Sequence, residues 1–168
     1  MDENTAISQY LTFSLGRENY AVRVRNVREV LEVVNITRVP GMPPFMKGVL
    51  NLRGSVVPVI NLRKKFGMAE VADTVETSII IMEITGGEEN LQIGVFVDAV
   101  HEVIDISPER IEPPPSMGLN LKSGFIEGMC EHEDSFLIIL NINQILTTDE
   151  LVQIPRSEDL AVKEAVEE

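Results

Sequence analysis

Apolar and polar residues alternate from Gln9 to Leu15, with Leu11, Phe13 and Leu15 on one face and Tyr10, Thr12 and Ser14 on the other. That period of two predicts a strand. A second strand, Asn19 to Val24, follows the turn at Gly16 to Asn19. Val27, Val30 and Leu31 then stand at i, i+3 and i+4 behind Asn26, which predicts one or two helical turns with an asparagine cap. Such a helix is too short to stand alone. Val33 to Val39 reads as extended, and Pro40, Gly41, Pro43 and Pro44 make a stiff loop.

The stretch GVLNLRGSVVPVINL, Gly48 to Leu62, is the strongest single pattern. Val49, Leu50 and Leu52 lead into Arg53 and Gly54, and Val56, Val57, Val59 and Ile60 lead out. Two apolar runs around a polar break predict a β-hairpin, with Gly54 taking the positive φ and Arg53 at or near the tip. Pro58 has no N–H to donate, which places it on an edge strand or a bulge. A brief helix over Asn61 to Phe66, closed by Gly67, is expected next.

After a polar connector, Ala69 to Thr77, the run Ile79 to Ile84 predicts a strand, followed by a turn at Gly86 and Gly87. Leu91, Ile93, Val95 and Val97 then alternate. Ser107 to Lys122 reads as an extended loop, polyproline-like at Pro113 to Pro115. Phe125 to Cys130 and Phe136 to Leu140 form another hairpin, and Ile142, Ile145 and Leu146 resemble a short helix. Thr147 and Glu150 fit a capping box, and Ser157 to Glu168 is a helical but fraying acidic tail.

The chain also repeats itself. AVRVRNVREVLEV from Ala21 lies over GVFVDAVHEVIDI from Gly94, pairing Val22 with Val95, Val27 with Val100 and Glu29 with Glu102. Farther on, Gly48 falls on Gly128, Ser55 on Ser135 and Asn61 on Asn141, at an offset larger by about seven residues. Valine-rich strands match one another by chance, but the order of elements recurs as well. Two similar small β units, each with a thin core, are expected to share apolar surface and leave a groove for a partner.

Composition narrows the functions. A formal charge of −13 argues against sequence-independent binding to nucleic acid or an anionic membrane; only Arg53 with Arg63, Lys64 and Lys65 makes a local basic spot. MDENTAISQY is no signal peptide, and no run approaches the ~20 apolar residues of a membrane helix, so a cytoplasmic protein without membrane insertion is expected. The single cysteine, Cys130, excludes an intrachain disulfide.

Catalytic signatures are missing. The sequence holds two histidines, His101 and His132, and His101 aligns with Arg28, an exposed position. Cys130 and His132 are neither a complete zinc set nor an activated dyad. No phosphate loop or nucleophile elbow is present. The expectation is no enzyme, no catalytic residue, no metal and no cofactor.

KGVLNLRGSVVPVINLRKKFG, Lys47 to Gly67, resembles the CheW family of bacterial chemotaxis adaptors nearly throughout. The opening strands, Val27 and Glu29 in NVREVLEV, GVFVDAVHEVIDI and FLIILNINQIL resemble it too. The resemblance implies an all-β fold with a few short helices: two SH3-like five-stranded β-barrels packed around a shared hydrophobic centre. It frames a single domain over 1–155, with barrels near 15–68 and 77–146 whose terminal strands have room to cross over, and a tail over 156–168.

The resemblance further implies an adaptor that links chemoreceptor cytoplasmic tips to the regulatory domain of the histidine kinase CheA. Its receptor-facing set, carried over, is Val27, Glu29, Gly48, Asn51, Leu52, Arg53 and Gly54; it assigns no kinase-contacting residues. Gly48 and Gly54 serve turn geometry equally well, and Val27 the core. A paralogue scaffolding a different two-component signalling array stays open as the alternative, as does a small-molecule sensor or enzyme using the groove.

Overall fold

The computed structural model describes residues 7–33, 35–86, 89–113, 125–146 and 150. Ten strands account for most of them. They are β1 (Ser8–Leu15), β2 (Glu18–Arg23), β3 (Val27–Glu32), β4 (Met46–Leu52) and β5 (Ser55–Asn61), then β6 (Ser78–Gly86), β7 (Glu89–Val97), β8 (Ala99–Ile106), β9 (Ile126–His132) and β10 (Ser135–Leu140). A single turn of helix, α1 (Leu62–Lys65), follows β5, and 3-10 turns lie at Val24–Asn26, Pro108–Arg110 and Ile142–Gln144.

The strands form two five-stranded sheets, ordered β8-β1-β2-β10-β9 and β3-β6-β7-β5-β4. Adding five to each strand number of the second sheet, and counting past ten to one, gives the first. The duplication in the sequence is therefore a duplication of topology. It is also an exchange: each sheet takes two strands from one half of the chain and three from the other. The sheets thus do not follow the division near 15–68 and 77–146, because β1 and β2 pair with β10 while β6 and β7 pair with β3 and β5.

Each sheet curls until its two end strands are joined. After β3, Thr37 exchanges two backbone hydrogen bonds with Val49 of β4, at 2.7 and 2.8 Å. After β8, Glu112 does the same with Met129 of β9, both at 2.8 Å. Gly48 and Gly128 lie beside these crossings, where a Cβ would meet the Thr37 carbonyl oxygen at 2.4 Å and that of Glu112 at 2.6 Å. The matched glycines of the repeat are matched because both backbones must approach this closely.

Three apolar clusters fill the body. Tyr10, Ala21, Ile106, Cys130, Leu137 and Ile139 fill the first sheet, and Leu50, Leu52, Val57, Val59, Ile79 and Ile81 the second. Between the sheets lies the largest cluster, including Phe13, Leu15, Val22, Ile60, Leu62, Ile80, Met82, Val95 and Leu140. A row of rings, Phe13 to Tyr20 to Phe66 to Phe125, runs through it at centroid spacings of 5.6, 5.6 and 5.2 Å. This is the shared hydrophobic centre. Arg63 reinforces it by donating to Asp98, whose Oδ2 also accepts the Gly16 amide at 2.7 Å.

Two local expectations are corrected. Val27 to Leu31 is not helical: β3 alternates half-buried Val27, Glu29 and Leu31 with exposed Arg28, Val30 and Glu32. Asn26 closes a 3-10 turn instead of capping a helix, its amide donating to the Glu83 carbonyl at 3.2 Å. The β-branched residues and the long β6 edge outweighed an i, i+3, i+4 spacing that a strand tolerates. Pro58 lies on β5, between β7 and β4 and not on the outermost strand, yet on a stretch whose β7 side is unpaired, as its missing N–H requires. It is accommodated because β5 pairs with β7 only from Val59 to Asn61.

The hairpins, the helix after Asn61 and the exposure of His101 stand as the sequence predicts. Asn61 caps α1 by accepting the Lys64 amide at 3.2 Å, and Asn141 accepts that of Asn143 at 3.1 Å in the repeat. Gly87, Pro114, Pro115, Thr147 and the acidic tail over 156–168 lie outside the described residues.

Candidate contact site

β4 and β5 are joined by two residues, since Leu52 pairs with Ser55. The type I′ form of so short a connection takes positive φ at both positions, and Arg53 and Gly54 have 49° and 89°. Asn51 secures the turn: its Oδ1 accepts the Gly54 amide at 2.9 Å. Leu52 points into the core of the second sheet, so the next side chain, Arg53, is turned outward with 70% of its surface exposed.

Arg53 does not stand alone. Its Nη1 and Nη2 donate to the two carboxylate oxygens of Glu29, the first at 3.3 Å. β3 and β4 lie at opposite ends of their sheet, so this ion pair spans the seam where the sheet closes. The Arg53 guanidinium holds the Glu29 carboxyl below the usual carboxylate range. The pair fixes the direction of a long side chain whose remaining N–H donors face solvent.

The structure sorts the candidate residues by exposure. Asn51, Arg53 and Gly54 form the exposed tip, with Glu29 and Val27 half-buried beside it on β3. Gly48 and Leu52 are buried: Gly48 lies under the Ile36–Thr37 segment and Leu52 in the core. Both shape the hairpin from within. The basic spot is dispersed, because Arg53 pairs with Glu29, Arg63 with Asp98 and Lys65 with Glu150.

Val30, 43% exposed on the face of β3 opposite Glu29, and Val33, 38% exposed beyond the strand, are apolar surface that the helical reading of this segment hid. Reading Val27 to Glu32 with a period of two would have exposed Val30.

Elsewhere, Cys130 is sealed in the first sheet's core and burial pushes its thiol up, so no reactive Cys130–His132 dyad forms. A cavity of about 40 Å³ lies between Lys47, Asn61, Arg63, Phe96 and Asp98. It is far below the ~300–1,000 Å³ of small-molecule sites. No helix among the described residues is long and apolar enough to cross a membrane.

A duplicated β body with strands exchanged between its halves carries a braced, exposed arginine at a hairpin tip, and its relatives are scaffolds. The CheW-like domain family matches residues 9–150. The chain is 31% identical over 150 residues to the chemotaxis protein CheW of Klebsiella aerogenes, covering 89% of this chain and 88% of that protein. It is 34% identical over 136 residues to that of Bacillus subtilis, covering 81% and 85%. The crystal structure of the scaffolding protein TtCheW from Thermoanaerobacter tengcongensis superposes with a TM-score of 0.75 at 36% identity, covering 86% of this chain and 96% of that one. The chain belongs to the CheW family of chemotaxis adaptors.

Proposed function

We propose that this protein is a cytoplasmic coupling protein that bridges chemoreceptor cytoplasmic tips to the regulatory domain of the kinase CheA, with Arg53 and its neighbours as the receptor-facing contact. The observation that carries the reading is the exposed guanidinium, held at a two-residue turn and aimed by Glu29. A side chain fixed before binding loses less entropy on contact than a free one. Arg53 supplies charge-assisted donors to a carboxylate or a helix-end carbonyl, while Val27 offers apolar area to a helical hairpin.

Co-sedimentation with receptor cytoplasmic fragments and CheA tests this. Arg53→Glu is expected to weaken receptor binding about tenfold or more while the far-UV spectrum is kept. The exchange of both charges, Glu29→Arg with Arg53→Glu, separates contact from scaffolding. It keeps an internal pair but presents the wrong sign outward, so binding stays weak; full recovery would show that the pair acts only within the fold.

A further inference from the structure

The repeat that places Arg53 against Glu29 has a counterpart in the first sheet, and there the chemistry differs. His132 pairs with Ser135 across β9 and β10 as Leu52 pairs with Ser55, so Glu133 and Asp134 occupy the positions of Arg53 and Gly54. Both have positive φ, 46° and 64°, which confirms the same turn. On β8, Glu102 occupies the position of Glu29. The cation that neutralises Glu29 is thus replaced by a second carboxylate, and a histidine stands where Leu52 would be.

The imidazole lies between the two acids. His132 Nε2 is 3.4 Å from Glu102 Oε1 and 3.8 Å from Glu133 Oε1. The Nε2 atom is shielded from solvent, although the side chain keeps 25% of its surface exposed, and it makes no hydrogen bond among the described residues. One oxygen from each glutamate and one nitrogen of His132 all lie within 4.8 Å of one another. Two donors on a tetrahedral zinc are ~3.4 Å apart, given Zn–N and Zn–O bonds of ~2.0–2.2 Å, so small rotations of two exposed carboxylates close the set around one ion. Among the described residues no lysine or arginine pairs with either glutamate; His132 is the base they face.

We propose that Glu102, His132 and Glu133 form a binding site for a divalent transition metal of the zinc class, at the first-sheet seam that corresponds to the Arg53–Glu29 seam of the second. One nitrogen and two carboxylate oxygens leave a fourth position open to water or to a partner's side chain. The ion does for Glu102 and Glu133 what Arg53 does for Glu29: it neutralises the seam and joins the hairpin tip to the edge strand. Cys130, two residues before His132 and in the core, is not part of the set.

Calorimetric titration of the full chain with zinc chloride, with magnesium chloride as the comparison, tests the site. One zinc per chain is expected, with affinity lowered about tenfold or more by His132→Gln and by Glu133→Gln, and with no comparable heat from magnesium. Thermal melts without metal check that both variants fold. No zinc binding by the wild-type chain, or binding that survives both substitutions, would overturn the assignment. Because Arg53 is untouched by these variants, their outcome is independent of the receptor-binding test.

Discussion

Asp98 shows how one residue ties three elements together. Arg63 donates to both its oxygens, Nε at 3.0 Å, and the Gly16 amide donates to Oδ2. The Arg63 bond is the main reason its carboxyl titrates below the ordinary 3.8. A carboxyl that binds protons more weakly when folded than unfolded stabilises the fold above its unfolded pKa, and that contribution disappears as pH falls through the lower folded value. Asp98→Asn is therefore expected to cost about 1 kcal/mol at pH 7, with the difference from wild type shrinking below about pH 4. Urea midpoints at pH 7 and pH 3 measure it; an unchanged difference would remove the ion pair as its source. No local signal marks this bond, since Arg63 reads as one of four basic neighbours and its partner lies 35 residues away.

At the scale of the element, the two hairpins were legible because their signals are local. Apolar runs, Gly54 beside Arg53 and a polar tip at Glu133 and Asp134 require only neighbouring residues. What lies over them was not legible. Gly48 reads as a turn or contact glycine, yet its function is to let the segment after β3 cross β4, with Ile36 Cγ2 at 2.7 Å from a would-be Cβ. Gly48→Ala is expected to destabilise by about 2–3 kcal/mol, and Gly128→Ala by a similar amount, since backbone stands in the way at both. Equilibrium denaturation checks both; a loss confined to one would mean that the crossings are not equivalent. β3 shows the opposite failure, where one apolar spacing fits two periods and the partner strand β6 decides.

Across the whole molecule, strand exchange links the stability of the two sheets. Neither can unfold without removing strands that belong to the same half of the chain as the other's. Ile81, fully buried in the second sheet, and Cys130, buried in the first, make the coupling measurable. Ile81→Ala is expected to cost about 3 kcal/mol. It should raise the rate of Cys130 thiol labelling, under conditions where reclosing outruns labelling, by the factor that this loss predicts. Labelling that stayed at the wild-type rate would show that the first sheet opens independently.

The sequence by itself determined the repeat unit, the hairpin turns and the brief helix after β5, because each depends on residues a few positions apart. It determined the family resemblance too, which rests on Lys47 to Gly67 and on shorter stretches to either side of it. Only the tertiary structure decided which half supplies each strand, that Glu29 braces Arg53, and that Glu102 meets His132 and Glu133. Those pairings join residues far apart in the chain at seams where a sheet closes on itself, and a periodicity says which face a side chain takes but not what it will face.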